Sequence, residues 1–240
     1  MTTMARFTTP DTLPEGDEKV EAVRTMFDAI APRYDLVNRI MTFRMDVRWR
    51  RRTVESLQLG RGATVLDLAC GTGDLCRELS AGGLRPIGVD LSYGMLAAAR
   101  TDAPLVHGDA LNLPLPDGAA DGVTCGFALR NFASLPPFFA ELARIVRPAG
   151  RIALLEVAEP PNRFLRWGHG VYFGKVVPLV GGLLSDPAAY RYLPRSVAYL
   201  PEPDAMLDAL RTAGFAEVER RLLSVGIAQL ITARREAADT

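Results

Sequence analysis

Apolar residues recur at helical spacing over the first quarter of the chain. The pattern begins at Asp17, after residues 1–16, whose Thr, Pro and Gly content has no sustained period and predicts a flexible tail. Pro32 interrupts this first amphipathic helix, and a second helical stretch covers Asp46–Leu57. We expect residues 17–60 to form an N-terminal helical lid.

Further along, short apolar runs alternate with helical stretches. Val65–Ala69 is a nearly continuous apolar run, typical of a central parallel strand that is covered on both faces. The glycine turn at 71–73 follows and opens a helix, which gives the first half of a βαβ unit. Further strands are predicted at 86–90, 105–106, 122–127, 151–157, 218–224 and 227–233, and further helices at 95–100, 135–146 and 204–213. The alternation predicts an α/β fold with a mostly parallel, seven-stranded sheet and helices on both faces.

Two stretches depart from this alternation. Residues 147–150, Arg-Pro-Ala-Gly, are predicted to be a break between a helix and the next strand. Residues 160–203 hold many prolines, glycines and aromatic residues, so we expect a less regular insertion that forms a cap over the sheet. A length of 240 residues favours a single domain, placed at 17–235 with a short tail at 236–240.

Composition and charge narrow the classes of partner. The chain is 48% hydrophobic and 23% charged, as expected of a globular protein. Lys and Arg balance Asp and Glu at 28 each, which argues against nucleic acid as the main partner. One short stretch is crowded with Arg44, Arg48, Arg50, Arg51 and Arg52, which a solvated helix face explains as well as a ligand-binding patch.

The cysteines and the hydropathy profile indicate the compartment. Cys70, Cys76 and Cys125 lack the paired spacing of a zinc site, and an odd number does not complete a disulfide framework. We therefore predict no metal site and a cytoplasmic location. No stretch has the apolar core of a signal peptide or the about 20 apolar residues of a membrane span.

The turn after the first predicted strand has the character of a nucleotide site. Gly71 and Gly73 let the backbone approach a ligand closely, although a tight turn alone also explains them. Asp90 ends the next strand, where a carboxylate accepts hydrogen bonds from both ribose hydroxyls of a nucleotide. Position 76 is Cys where the dinucleotide fingerprint has its third glycine, so NAD is the second choice of cofactor.

Val65–Gly73 closely resembles motif I of class I S-adenosylmethionine methyltransferases, and Asp90 lies where their ribose-binding acid follows. Gly108–Pro114 is similar to the loop after their third strand, where an acidic side chain and a backbone amide contact the adenine. The resemblance implies a Rossmann-like fold with S-adenosylmethionine as the cofactor. It assigns cofactor-binding roles to Asp67, Gly71, Thr72, Gly73, Asp90, Leu91, Asp109, Ala110 and Gly126. For Asp67 a turn cap and for Asp109 the start of a helix remain as alternatives.

Three further segments narrow the resemblance to the ubiquinone/menaquinone biosynthesis C-methyltransferase family. They are Tyr34–Asn38 followed by Trp49, which is similar to its Tyr-Asp-x-x-Asn element; Phe127–Phe132, which resembles its Phe-Gly-Leu-Arg-Asn motif; and Tyr190–Val197, which resembles its Tyr-x-Tyr-Leu-x-x-Ser element. The chain departs from the family pattern at Thr42, Arg44, Asp46, Gly126, Gln229 and Leu230.

The family resemblance implies methylation of a ring carbon of a prenylated quinol, with demethylmenaquinol to menaquinol as the expected reaction. Such a carbon becomes nucleophilic when a phenolic proton is lost. We expect Arg130 to stabilise the developing phenolate and Asn131 to hold a second oxygen. A structural ion pair for Arg130 and a helix cap for Asn131 are the alternatives. Tyr34 and Asn38 are expected to be lid residues over the cofactor or the substrate.

The expected partner is thus a lipid quinol, whose tail needs a large apolar channel. The aromatic residues of 160–203 and the N-terminal helices would supply this channel, although ordinary core packing also explains those aromatics. A methyltransferase for a soluble aromatic natural product, a NAD-linked oxidoreductase and a cofactor-binding protein without catalysis are the alternative functions. The sequence leaves open a homodimer and a peripheral contact with the inner face of a membrane.

Overall fold

Seven strands form one sheet at the centre of the protein. The computed structural model describes residues 14–237. In chain order the strands are β1 (Thr64–Leu68), β2 (Arg85–Asp90), β3 (Leu105–His107), β4 (Ala120–Gly126), β5 (Val146–Val157), β6 (Phe215–Leu223) and β7 (Ala228–Arg235). Their spatial order is β3-β2-β1-β4-β5-β7-β6, and only the two pairings of β7 are antiparallel. The predicted mostly parallel, seven-stranded sheet is confirmed.

The order of the strands reverses between β1 and β4. Strand β1 pairs with β2 on one side and with β4 on the other, so the chain first moves outward through β2 and β3 and then returns to the centre. In an open parallel sheet such a reversal leaves a crevice at the carboxyl ends of the two strands. The loops after β1, β2 and β4 therefore meet at one edge of the sheet.

Helices cover both faces of the sheet. They are α1 (Gly16–Ile30), α2 (Tyr34–Met41), α3 (Met45–Ser56), α4 (Asp74–Ala81), α5 (Tyr93–Ala97), α6 (Leu135–Ile145), α7 (Arg163–Val171), α8 (Val177–Leu184), α9 (Pro187–Ser196) and α10 (Pro203–Thr212). Successive side chains of a strand point to opposite faces. Accordingly, Ile152 and Leu154 of β5 share a core with α6 and α10, whereas Ala153 and Leu155 share another with α3 and α4.

A third apolar core joins the N-terminal helices to the insertion. Met26 of α1 and Val37 of α2 are buried in one cluster with Val177 of α8 and with Tyr190 and Tyr192 of α9. Two segments that are far apart in sequence therefore form one layer. Within residues 14–237, no helix has both the length and the apolar character needed to cross a membrane.

The insertion is largely helical, so the prediction of a less regular segment was wrong. Helices α7, α8 and α9 occupy most of it, and Tyr172–Val176 joins α7 to α8 as a π-helical segment. Pro178 and Pro187 lie in the first turns of α8 and α9, where a missing N–H costs little. A Cβ at Gly181 would lie 2.2 Å from Cγ of Tyr190, so this glycine serves close packing. At these positions, proline begins a helix and glycine lets two helices pack closely.

Two smaller details also differ from the prediction. The interruption at Pro32 is a single 3-10 turn, Ala31–Arg33, and helix α2 follows it directly. The predicted break at 147–150 is a bulge inside β5, because Ala120 pairs with Val146 while Gly122 pairs with Arg151. Of the predicted tails, residues 1–13 and 238–240 lie outside the described residues, and α1 already begins at Gly16.

Candidate active site

The turn between β1 and α4 presents bare backbone at the carboxyl edge of the sheet. Gly71 and Gly73 have φ angles of 56° and 81°, in the left-handed region that favours glycine. A Cβ at Gly73 would also lie 2.6 Å from Cγ2 of Thr101, so packing excludes a side chain there as well. The Gly73 amide donates to the Cys70 carbonyl at 3.0 Å and closes the turn.

Asp90 joins the ends of β1 and β2. Its carboxylate accepts hydrogen bonds from the backbone amides of Gly71 and Ser92, both at 2.7 Å. Burial raises the pKa of Asp90, and these two hydrogen bonds oppose that change. A carboxylate has about four acceptor sites, so Asp90 can fix the turn and still accept hydrogen bonds from a ligand.

A cavity of about 860 Å³ opens where the loops after β1, β2, β3 and β4 meet. We call it the cofactor cavity. Six of the nine predicted cofactor residues line it, namely Gly71, Asp90, Leu91, Asp109, Ala110 and Gly126. Tyr34 and Asn131 also line it, and Val20, Val23 and Phe27 of α1 close it from the side of the lid. The structure thus brings together residues from four separate predicted motifs.

Asp109 begins a turn at the wall of the cofactor cavity. Its carboxylate accepts the Leu111 amide at 2.9 Å, and its carbonyl accepts the Asn112 amide at 3.1 Å. The segment that follows is a turn and a bend, so Asp109 does not begin a helix. Ala110 beside it is buried and packs in the core.

Asp67 and Thr72 lie in a smaller recess of about 360 Å³ behind the glycine turn. Asp67 is fully buried and accepts hydrogen bonds from the Thr124 hydroxyl at 2.7 Å and the Cys76 thiol at 3.5 Å. Burial raises the pKa of Asp67 to about 7. Its partners belong to the neighbouring strand and to α4, so Asp67 is not a cap of the turn.

Three side chains anchor the lid on the loops of the sheet. They are Asp35, which accepts the Thr72 hydroxyl after β1, Asp28, which accepts the Ser92 hydroxyl after β2, and Lys19, which donates to the Phe132 carbonyl after β4. Burial lowers the pKa of Lys19 to about 8. The lid is therefore bound to three of the loops that form the site.

A second cavity, of about 1020 Å³, adjoins the first. We call it the apolar cavity. Tyr34 and Phe127 line both cavities and mark their junction. Apolar and aromatic side chains form most of the wall, including Met41, Phe43, Trp49, Tyr172, Phe173, Val177 and Leu193. Few polar groups interrupt this wall, and they include Asn38, Arg50, Arg130 and His169.

Arg130 lies in the wall of the apolar cavity and is held by Glu156. The two side chains form a buried ion pair, and Arg130 also donates to the Phe127 carbonyl at 2.8 Å and the Ser196 hydroxyl at 3.1 Å. Glu156 is 0% exposed, so the pair acts as a nearly neutral unit. The structure therefore shows the ion pair that the sequence analysis gave as the alternative for Arg130.

Asn131 faces the other cavity. It lines the cofactor cavity, and its Oδ1 is buried without a hydrogen-bond partner among residues 14–237. Ser134, not Asn131, is the residue before α6, so the helix-cap alternative does not apply. Arg130 and Asn131 are thus adjacent in sequence but line different cavities.

Comparison with known proteins decides the class of enzyme. The model of the ubiE/COQ5 methyltransferase family matches residues 15–235. The chain belongs to this family. A demethylmenaquinone methyltransferase of Thermus thermophilus is 44% identical over 85% of this chain and 97% of its own length. The ubiquinone/menaquinone biosynthesis C-methyltransferase UbiE of Geobacter sulfurreducens is 35% identical over 91% of this chain and 90% of its own length.

Solved structures share the fold at low sequence identity. The [4+2]-cyclase SpnF has a TM-score of 0.67 at 16% identity and covers 96% of this chain and 100% of its own. The phosphoethanolamine N-methyltransferase 2 of Haemonchus contortus, in complex with S-adenosyl-L-methionine, has a TM-score of 0.59 at 13% identity and covers 79% and 52%. These likenesses concern the fold alone, and they confirm the predicted Rossmann-like fold.

As a member of the ubiE/COQ5 family, the protein is an S-adenosylmethionine-dependent methyltransferase, as the sequence predicts. Family membership removes the NAD-linked oxidoreductase and the non-catalytic binding protein from the alternatives. The lining of the cofactor cavity fits this cofactor, because a glycine backbone leaves room for its close approach and the Asp90 carboxylate would accept hydrogen bonds from its ribose. The Oδ1 of Asn131, which has no partner among the described residues, would be a further acceptor for its hydroxyl or ammonium groups.

Tyr34, from the Tyr-Asp-x-x-Asn element of the family, lies at the junction of the two cavities, and Asn38 of the same element lies on the apolar side. Both line the apolar cavity, and Tyr34 also lines the cofactor cavity. Burial raises the pKa of Tyr34, while a hydrogen bond with Asn38 and the charges of Arg130 and Arg50 oppose that change. The phenol therefore stays protonated at neutral pH and is available as a hydrogen-bond donor at the junction.

Arg50 is a site residue that the sequence analysis did not single out. It is buried, lines both the apolar cavity and the recess, and forms ion pairs with Asp46 and with Asp74, the latter at 3.1 Å. The other four arginines of the stretch, Arg44, Arg48, Arg51 and Arg52, are exposed. The signal was the spacing of four residues between Asp46 and Arg50, which puts both charges on one face of α3.

Proposed function

We propose that the protein methylates a ring carbon of a prenylated quinol, with demethylmenaquinol as the acceptor and menaquinol as the product. The apolar cavity of about 1020 Å³ that meets the cofactor cavity at Tyr34 and Phe127 carries this proposal. A quinol with an apolar tail needs a large, mostly apolar space with few polar groups. Relatives named demethylmenaquinone methyltransferase, similar over most of the chain, support the same acceptor.

The chemistry divides between the two cavities. S-adenosylmethionine, when bound, supplies an electrophilic methyl group, and the protein must hold an electron-rich ring carbon in line with it. The junction at Tyr34 and Phe127 is the place where a ring in the apolar cavity reaches the cofactor cavity. Loss of the phenolic proton to solvent leaves an oxygen whose negative charge the wall must stabilise. After the methyl group is transferred, the ring carbon loses its hydrogen as a proton and the oxygen is protonated again, so one proton is released per turnover.

Arg130 is the proposed residue for this stabilisation. Because arginine stays protonated in proteins, it acts as a hydrogen-bond donor and not as a base. Its ion pair with Glu156 fixes the orientation of the guanidinium before the substrate arrives. Since Glu156 offsets the charge, Arg130 presents an oriented dipole to the phenolate and little net positive charge.

Besides Arg130, the polar side chains in the wall of the apolar cavity include Tyr34, Asn38 and His169. The sequence analysis expected Asn131 to hold a second quinol oxygen, but Asn131 lines the cofactor cavity, so we assign it to the cofactor. His169 lines the apolar cavity, and its Nε2 is buried without a partner among the described residues. Burial lowers the pKa of His169, so the imidazole is neutral at pH 7 and suited to hydrogen-bond a quinol hydroxyl.

The experiment is transfer of labelled methyl from S-adenosylmethionine to reduced demethylmenaquinone. A reduced demethoxy-benzoquinone and a tail-free naphthoquinol serve as competing acceptors. Arg48→Ala, on the exposed side of α3, is the matched control for Arg130→Ala. Label in the prenylated naphthoquinol that disappears in the Arg130 variant is the expected result. Label confined to the tail-free naphthoquinol would instead assign the enzyme to a soluble aromatic acceptor.

A further inference from the structure

Exposed apolar side chains are concentrated in one part of the surface. Among residues 14–237, ten of the fourteen large apolar side chains that are exposed lie on α2, α7 and α8 or directly beside these helices. They are Leu36, Ile40, Phe43, Phe164, Leu165, Trp167, Val171, Val176, Leu179 and Leu183. Single exposed apolar residues are ordinary, but a group of this size marks an interaction surface.

Helical spacing aligns these side chains into stripes. Phe164, Trp167 and Val171 are three and four residues apart, so they lie on one face of α7, and Leu179 and Leu183 do the same on α8. Phe164, Trp167 and Leu183 are 85%, 74% and 78% exposed. Because Val177 of α8 is buried in the core under the insertion, this helix is apolar towards both the protein and the solvent.

Contacts between the helices make the stripes one surface. The Tyr172 hydroxyl donates to the Met41 carbonyl at 2.8 Å, which joins the end of α7 to the end of α2. Arg33, directly before α2, donates to the Leu184 carbonyl at the end of α8 at 2.9 Å. We call the exposed side of these three helices, with the ten residues above, the α2/α7/α8 face.

The same helices form a wall of the apolar cavity. Met41 and Phe43 at the end of α2 line it, as do His169 of α7, Tyr172 and Val177. The ring of Phe43 is 73% exposed and lies 6.0 Å from the ring of Tyr172, so one side chain belongs to both the cavity and the outer face. The α2/α7/α8 face is therefore continuous with the proposed quinol site.

The charge of this region differs from that of the whole chain. Residues 160–185 contain Arg163, Arg166 and Lys175 and no Asp or Glu, whereas the complete chain has a net charge of zero. All three basic residues are exposed. Exposed aromatic and aliphatic stripes beside basic side chains are the composition of helices that lie on anionic bilayers.

We propose that the α2/α7/α8 face docks on the surface of an anionic lipid bilayer, from which the quinol enters the apolar cavity. The substrate part of this statement rests on the proposed function, whereas the docking rests on the surface alone. A second copy of the chain is the competing occupant. In a two-fold contact through this face, the like charges of Arg163, Arg166 and Lys175 would gather at one interface, which disfavours it.

Trp167 provides a direct probe of docking. The chain has two tryptophans, and Trp49 is 4% exposed whereas Trp167 is 74% exposed. We expect vesicles of phosphatidylglycerol and phosphatidylcholine in equal parts to shift the emission to the blue, and brominated acyl chains to quench it. Vesicles of phosphatidylcholine alone should give a much smaller change, because the basic residues then have no anionic partner.

Variants test which face is used. Trp167→Ser combined with Leu183→Ser should lower co-sedimentation with the anionic vesicles about tenfold or more. Leu222→Ser, at an exposed leucine of β6, is the control and should leave it unchanged. Arg163→Glu with Arg166→Glu should also weaken binding about tenfold or more. The same reversal at Arg211 and Arg221, exposed on α10 and β6, is the control for charge.

Other outcomes overturn the docking proposal. The proposal is overturned if wild-type protein does not bind the anionic vesicles. It is also overturned if the Trp167/Leu183 variant binds them as well as wild type. A lipid-free dimer in sedimentation velocity that the same variant abolishes would assign the face to a second copy. Methylation of a tail-free naphthoquinol without lipid tests the acceptor separately, and the docking variants should retain that rate within about twofold.

Discussion

The cofactor cavity and the apolar cavity are adjacent but are built in different ways. Loops at the ends of four neighbouring strands form one side of the cofactor cavity, with the turn within Ala69–Gly73 among them, and side chains of α1 close the other side. The apolar cavity is lined mostly by side chains from α2, α3 and the insertion, together with Phe127 and Arg130 after β4. A short sequence motif identifies a site formed by the loops at strand ends. A site formed by side chains that are distant in sequence cannot be identified from one motif, because it is assembled only when the chain folds.

The difference also affects tolerance to substitution. At Gly73 a single added carbon meets Thr101, and the left-handed backbone angle disfavours other residues as well. In the apolar cavity, a side chain of similar volume can replace another with a small change in packing. The ion pair of Arg130 and Glu156 is the exception in the apolar cavity, because replacing either residue leaves a buried charge without a partner.

The strongest test of this exception is Arg130→Met. Glu156 would remain fully buried without its cationic partner, so the free energy of unfolding should fall by about 3 to 5 kcal/mol in urea denaturation. The double variant Arg130→Met/Glu156→Gln should recover most of the stability. If the double variant also recovers methyl transfer, Arg130 serves the fold alone. If it recovers stability without activity, Arg130 acts on the quinol.

On the cofactor side, Asp90→Ala is expected to have the next largest effect. The carboxylate accepts the amides of Gly71 and Ser92 and is the proposed ribose ligand, so affinity for S-adenosylmethionine should fall about 100-fold or more. Isothermal titration calorimetry measures this affinity. Asp90→Asn keeps one acceptor oxygen, so we expect an intermediate loss of affinity. A dissociation constant equal to that of wild type would remove Asp90 from the site.

Asp67 should make stability depend on pH. Burial raises its pKa to about 7 from the ordinary value of 3.8, so between these two pH values the folded state holds a proton that the unfolded chain has lost. The contribution of Asp67 to stability therefore falls as pH rises from about 4 to about 7. Between about pH 5 and about pH 7.5, the free energy of unfolding of wild type should fall by about 2 kcal/mol relative to that of Asp67→Asn, as measured by denaturant titration. Parallel curves for the two proteins would contradict this prediction.

The smallest effect is expected for His169→Phe. The new ring keeps most of the volume beside Phe173 but removes Nε2, so KM for the quinol should rise about tenfold or less, as for one lost hydrogen bond. Affinity for S-adenosylmethionine should not change, because His169 does not line the cofactor cavity. His169→Gln, which keeps a polar group, is the control. A change in cofactor affinity of the same size would show that the two cavities are not separable in this way.

The sequence was most informative where local pattern determines structure. Alternating strands and helices predicted the sheet, and the glycine turn with Asp90 predicted residues that do meet at one cavity. The π-helical join and the packing of Gly181 under Tyr190 could not be predicted, because proline and glycine indicate a turn or a close contact equally well. The partners of Asp67 and Arg130 were also hidden, since Thr124 and Glu156 lie on other strands.

The anchored lid has a consequence in terms of linkage. Helix α1 supplies Val20, Val23 and Phe27 to the wall of the cofactor cavity, and α2 supplies Asn38 and Met41 to the wall of the apolar cavity. A joint movement of α1 and α2 that opens one cavity therefore removes part of the wall of the other cavity. A ligand in one cavity that favours the closed lid therefore strengthens the binding of a ligand in the other cavity. By linkage, the second ligand strengthens the binding of the first by the same factor.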